Sequence, residues 1–198
     1  IKQAMMNQLV KLPYSSNFSG YHSETTEKYA EEICKRTNMS RVYFTNSGSA
    51  AVETAIKLTG KEIAVCGKHS YHGSTILSAN ASDQDINKFW GIQNPMSVHK
   101  FEDVEDLISI CKGLYDMSFV IIEPVVGAGG VYDWPSEIWK VLEEYQQKGG
   151  IVILDETVTG FGKLGTMFAF EKIKFKPDMI ILGKGITNGY FPMGACLI

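Results

Sequence analysis

The sequence predicts an α/β fold: one doubly wound, three-layer α/β/α domain on a mostly parallel sheet. Two observations point there first. Apolar runs at residues 151–154 and 179–182 are too short for helices and read as buried strands, and 42–45, 63–66 and 119–122 read as further short strands. Between them lie stretches of helical period, so strands and helices alternate along the chain. A third observation concerns residues 149–185. The run at 151–154 ends in Asp155, and the run at 179–182 is followed by Gly183 and Lys184. Parallel strands present their C-terminal ends at one rim of the sheet, where open α/β folds bind ligands.

Taken in order, residues 1–22 show no sustained period, and 13–20 are loop-like. From Ser23 a helix is expected, with Thr26, Tyr29, Ala30 and Ile33 on one face. The strand at 42–45 leads into Asn46-Ser47-Gly48-Ser49, then a helix with Val52, Ala55, Ile56 and Thr59 inward. Strand, small polar turn and helix form an anion-binding geometry, because free N–H groups and the positive end of the helix dipole face the ligand. Alone, such a turn is more often only a helix cap. Residues 80–97 read as a polar surface excursion. Helices follow with Val104, Leu107, Ile108 and Cys111, and later with Ile138, Val141, Leu142 and Tyr145, inward. The second stops at Gly149-Gly150. No repeat or low-complexity segment interrupts the pattern.

Composition narrows the function. Hydrophobic residues make up 44% and charged residues 21%, which suits a globular domain with an ample core. A net charge of -3 gives no footprint for nucleic acid or anionic membrane. Cys34, Cys66, Cys111 and Cys196 are scattered with no CxxC pair, so free thiols in a reducing cytoplasm are expected and a metal site is not. No apolar run reaches membrane-spanning length, and no signal-peptide pattern opens the sequence as given. It starts without Met and ends inside an apolar run, which leads us to expect a fragment.

Two nucleotide motifs fail on context. Residues 160–165 match GxGxxG, but Asp155 to Thr159 separate them from the strand, and a carboxylate at the strand tip would repel a pyrophosphate. Gly183-Lys184 lacks the leading glycine of a P-loop and is followed by Gly185.

These residues together resemble the class III (omega-type) aminotransferases, pyridoxal-phosphate enzymes of fold type I. The resemblance rests on Asp155-Glu156 before Thr159-Gly160-Phe161-Gly162, Gly183-Lys184-Gly185 about thirty residues later, and the tail from Thr187 to Ala195. It runs from about residue 46 to the end. Asn46-Ser47-Gly48-Ser49, leading into Glu53, Ala55 and Lys57, is similar to the family's phosphate turn, although Ala50-Ala51-Val52 departs from the commoner Glu-Ala-Asn. Residues 1–198 would then be the large cofactor-binding domain, with small-domain segments at both termini absent.

The resemblance implies a cofactor, pyridoxal 5′-phosphate, and assigns candidate roles. Lys184 would be the Schiff-base lysine and Asp155 the partner of the pyridinium nitrogen. Gly48 and Ser49 would hold phosphate, and Tyr71 would lie over the ring. His72 beside it is expected to be structural. Glu123, in a Glu-Pro pair at a strand end, would support the site, or else face water. Thr157 stands where relatives usually have Val or Ile against the ring. Lys163 replaces a common arginine, and Ala128 lies near a glutamate of some relatives that bears on substrate choice. On local sequence alone Asp155 could cap the following turn and Lys184 could be a surface lysine. Desolvation at a confined strand end would favour the neutral amine of Lys184. The implied activity is ping-pong transfer of an amino group from an amine or amino-acid donor to an oxo acceptor. Related chemistries, an aminomutase or decarboxylase, and a non-catalytic cofactor-binding domain remain alternatives. The family's cofactor lies at a homodimer interface, so a homodimer is expected.

Overall fold

A computed structural model of the chain describes residues 1–16, 20–83 and 86–198. The described chain divides into two compact units, Ile1–Arg41 and Val42–Ile198. The first holds α1 (Lys2–Lys11) and α2 (Glu24–Thr37). Helix α1 corrects the irregular reading of residues 1–22: it buries no residue, and its apolar Met5, Met6, Leu9 and Val10 are exposed and span fewer than two turns, too short a run to read as a sustained period. Residues 17–19 of the expected 13–20 loop lie outside the described residues. Helix α2 starts where expected, with the Ser23 hydroxyl accepting from Thr26 N, and ends at Asn38 in the left-handed region (φ 54).

The second unit runs β1 (Val42–Thr45), α3 (Gly48–Thr59), β2 (Ile63–Gly67), α4 (Ile76–Asn80), α5 (Ile86–Phe89), β3 (Ser97–Phe101), α6 (Val104–Cys111), β4 (Ser118–Ile122), β5 (Val125–Val126), β6 (Tyr132–Asp133), α7 (Glu137–Gln147), β7 (Ile151–Asp155), α8 (Ala169–Ile173), β8 (Met179–Leu182), a 3₁₀ turn (Lys184–Ile186) and β9 (Gly194–Leu197). A seven-stranded sheet has the order β1-β9-β8-β7-β4-β2-β3. Strands β3, β2, β4, β7 and β8 pair in parallel, and β9 is antiparallel to both β8 and β1.

The predicted α/β architecture is borne out, and burial explains it. All five residues of β4 are buried, because helices cover both faces. Its alternate side chains feed two cores. Phe119 and Ile121 join Ala51, Val52, Ala55 and Ile56 of α3. Val120 and Ile122 join Leu107 of α6 with Ile138 and Leu142 of α7.

The excursion at 80–97 needs correction too. It contains α5, and Asn80, Ser82 and Asn87 are buried. Their side chains serve the backbone: Met96 N donates to Asn80 Oδ1 at 2.9 Å, and Asn87 Nδ2 donates to Ile76 O at 2.8 Å. Polar residues buried for this purpose look solvent-facing in a hydropathy pattern. Residues 84–85 lie outside the description. Among the described residues no helix is long and apolar enough to cross a membrane.

Candidate active site

The C-terminal rim of β4, β7 and β8 carries the chemistry. Strand β7 ends in Asp155, which is 3% exposed. Its Oδ1 accepts from Thr157 N at 3.0 Å, and its Oδ2 lies 2.8 Å from His72 Nδ1. A carboxylate only accepts, so His72 Nδ1 carries the proton of this bond. The His72 ring is fully buried, and its Nε2 has no hydrogen-bond partner among the described residues. His72 N donates to Ser82 Oγ at 2.8 Å, which fixes the segment carrying it. Asp155 is therefore held from two sides and does not merely cap a turn.

Glu123, directly after β4, is buried rather than facing water. Its Oε1 accepts from Tyr71 N at 3.1 Å and its Oε2 from Gly127 N at 3.0 Å. Burial pushes this carboxyl above its ordinary range, against the pull of nearby His72 and the two N–H donors. One acid thus sets the position of the backbone that bears Tyr71.

At the N-terminus of α3, Ser47 Oγ accepts from Ala50 N at 3.1 Å. The N–H groups of Gly48 and Ser49 belong to the first turn, which has no intrahelical acceptor. A side chain on Gly48 would place its Cβ 3.2 Å from Thr157 Cγ2, so glycine lets α3 approach the exit of β7. Ser49 Oγ accepts from Ser74 N at 3.2 Å, and Gly73 (φ +134) lies against that hydroxyl. The 71–75 turn is thereby tied to the start of α3.

Lys184 follows β8 through Gly183 and is exposed, with φ 36 in the left-handed region. The expected confinement of this lysine is not met within the chain itself. The apolar run before it and Gly183 are buried, but Lys184 itself is exposed.

Gly48, Ser49, Tyr71, His72, Glu123, Asp155, Thr157 and Lys184 all line one cavity of about 210 Å³. The structure brings these eight candidate residues together, whereas Lys163 and Ala128 do not line the cavity. Gly73 and Val158 also line it and were not singled out; a glycine at positive φ and an isolated valine in a loop give no chemical signal. A larger groove of about 510 Å³, walled by Trp134 and Trp139, holds none of these groups, so volume alone does not locate the chemistry.

The cavity suits a small anionic heteroaromatic. An open helix N-terminus without side chains at Gly48 can take an anion, a buried acid faces the other side, and a primary amine stands at the rim.

The chain is 35% identical over 201 residues to an acetylornithine aminotransferase of Methanosarcina mazei, covering 98% of this chain and 50% of that protein. It is 30% identical over 233 residues to a probable gamma-aminobutyrate transaminase of Oryza sativa, covering 99% of this chain and 47% of that one. An amine transaminase from an uncultivated Pseudomonas species, solved in its PLP-bound form, superposes with a TM-score of 0.90 at 29% identity. That match covers 100% of this chain and 52% of the other. The chain thus spans about half the length of the curated relatives it matches. The description "Aminotransferase class-III" fits residues 1–198, and the chain belongs to that family.

Proposed function

We propose that residues 1–198 form the large, cofactor-binding domain of a pyridoxal-phosphate-dependent aminotransferase. The observation that carries this reading is the convergence of Asp155, Lys184 and the first turn of α3 on one cavity. When bound, pyridoxal 5′-phosphate supplies an aldehyde that captures amines and a ring that takes up the electron pair released at the substrate Cα. The chain's residues do the rest. Gly48 and Ser49 hold the phosphate through their backbone N–H groups. Asp155, oriented by His72 and by Thr157 N, keeps a proton on the ring nitrogen. Tyr71 and Thr157 wall the ring. Lys184 would hold the cofactor through its amine and would move the proton at the substrate Cα. Glu123 supports the backbone of Tyr71.

The donor is an amine or amino acid and the acceptor an oxo compound, in keeping with the names of the relatives. We further read the protein as a homodimer, because the cavity is open at Lys184, and as cytoplasmic, because its cysteines suit a reducing compartment. Borohydride reduction of the cofactor-loaded protein followed by peptide mass spectrometry tests the central assignment. The adduct is expected on Lys184; an adduct on Lys57 or Lys163 would refute it.

A further inference from the structure

We propose that the loop after β7 grips Lys184 from both sides and aims it, and that Phe161 is a positioning residue for this lysine. The inference builds on the reading of Lys184 as the cofactor-bearing amine. It rests on contacts that reading does not use.

Lys184 sits between two glycines, and each is pressed by one residue of a single loop. A Cβ on Gly183 would stand 2.9 Å from Thr157 Cγ2. A Cβ on Gly185 would stand 2.9 Å from both Cβ and Cδ2 of Phe161. Neither glycine has room for a side chain while Thr157 and Phe161 stay in place. Between them Lys184 takes φ 36, a conformation that L residues adopt only when their surroundings impose it.

The loop is rigid enough to impose it. Glu156 is fully buried, and its carboxylate accepts from Ala169 N at 2.9 Å, Phe170 N at 2.8 Å and Thr159 Oγ1 at 2.8 Å. Gly160 N donates to Glu156 O at 2.9 Å, and Gly162 N to Met167 O at 3.2 Å. Phe161 is itself left-handed (φ 61), and its ring meets Phe168 edge-on at 5.4 Å. Phe168 is fully buried. The exposed lysine is thus held through its backbone neighbours by a loop anchored in the core. Orientation of a reacting group to within an ångström is worth large factors in rate, which gives the grip a purpose.

The test is a rescue experiment in the full protein. Gly185→Ala places a methyl group against Phe161, and Phe161→Ala removes the ring. In Gly185→Ala the rate of cofactor attachment to Lys184, followed by absorbance and reductive labelling, should fall at least about tenfold. Its kcat should fall more than its KM changes. The double variant Gly185→Ala/Phe161→Ala should recover most of the attachment rate. Amide exchange on the cofactor-free protein gives an independent readout. Ile186 N and Asn188 N, which donate to Gly183 O and Gly185 O, should exchange faster in Gly185→Ala and slow again in the double variant. A wild-type protein that never attaches cofactor would sink the proposed function, and the exchange arm would still decide the grip. Attachment and exchange unchanged in Gly185→Ala, or a double variant no better than the single one, would overturn the inference.

Discussion

Asp155 and Glu123 are both buried carboxylates, yet their surroundings give them different work. Asp155 has a ring N–H on one oxygen and a backbone N–H on the other. In the proposed role its charge faces the cofactor nitrogen, and Asp155→Asn cannot keep a proton there. Loss of one partner of a buried charge pair costs roughly 3–5 kcal/mol, or about two to four decades in rate. Cofactor attachment should survive while single-turnover Cα deprotonation falls by that factor; a variant near wild-type rates would refute the role. Glu123 is pushed up by burial above its ordinary value of 4.5. An acid raised in the folded state contributes stability that is complete below its unfolded value and lost as pH rises through the folded one. Glu123→Gln, neutral throughout, lacks that loss. Its urea midpoint relative to wild type should therefore improve between about pH 4 and pH 7. A constant difference across that range would mean that burial does not raise this acid.

Among elements, the packing of β2 against the segment after β6 links strand to site. Gly67 ends β2, and a Cβ there would lie 2.6 Å from Trp134 Cζ2 and 2.8 Å from Cη2. Trp134 cannot easily retreat, because its Nε1 donates to Glu123 O at 3.1 Å and its ring lies 5.1 Å from that of Phe101. Gly67→Ala should cost about 1–3 kcal/mol by overpacking, measured as a lower urea midpoint. Shifting Trp134 would also disturb the carbonyl of Glu123, so weaker cofactor affinity should accompany the loss. A variant as stable as wild type would show that the ring has room to move. The short strands β5 and β6 and the five-residue helices α4 and α8 were not legible beforehand. Elements this short contain less than two periods of any pattern, and tertiary hydrogen bonds hold them instead.

At the scale of the whole molecule, the chain spans about half of its relatives and leaves Lys184 exposed. Catalysis of this kind relies on charges held away from water. We expect the 198 residues alone to capture the cofactor at Lys184 but to turn over amines at least about a hundredfold more slowly than full-length relatives, a loss on the scale of one misplaced catalytic group. Half-reactions with several amines and amino acids, followed by absorbance, measure this. Rates matching those of full-length relatives would show that the site is already complete.

Sequence by itself determined β2, β4, β7 and β8 and the residues at their ends, but not the parallel edge strand β3, whose Ser97, His99 and Lys100 are exposed and form no apolar run. Runs such as 119–122 and 151–154 must be buried on both faces, and an acid or amine next to such a run can only emerge at the rim. The small turn 47–49 opening a helix was likewise readable, since only small residues let backbone N–H groups approach an anion. Tertiary structure alone decided how these ends act on one another. The Asp155–His72 bond joins residues 83 positions apart, and the Glu123–Tyr71 bond joins residues 52 apart. Neither side chain carries a local signal for its partner. The seating of Phe161 on Gly185 belongs to the same class: a glycine in sequence says only that a side chain is missing, and the fold decides what fills the space.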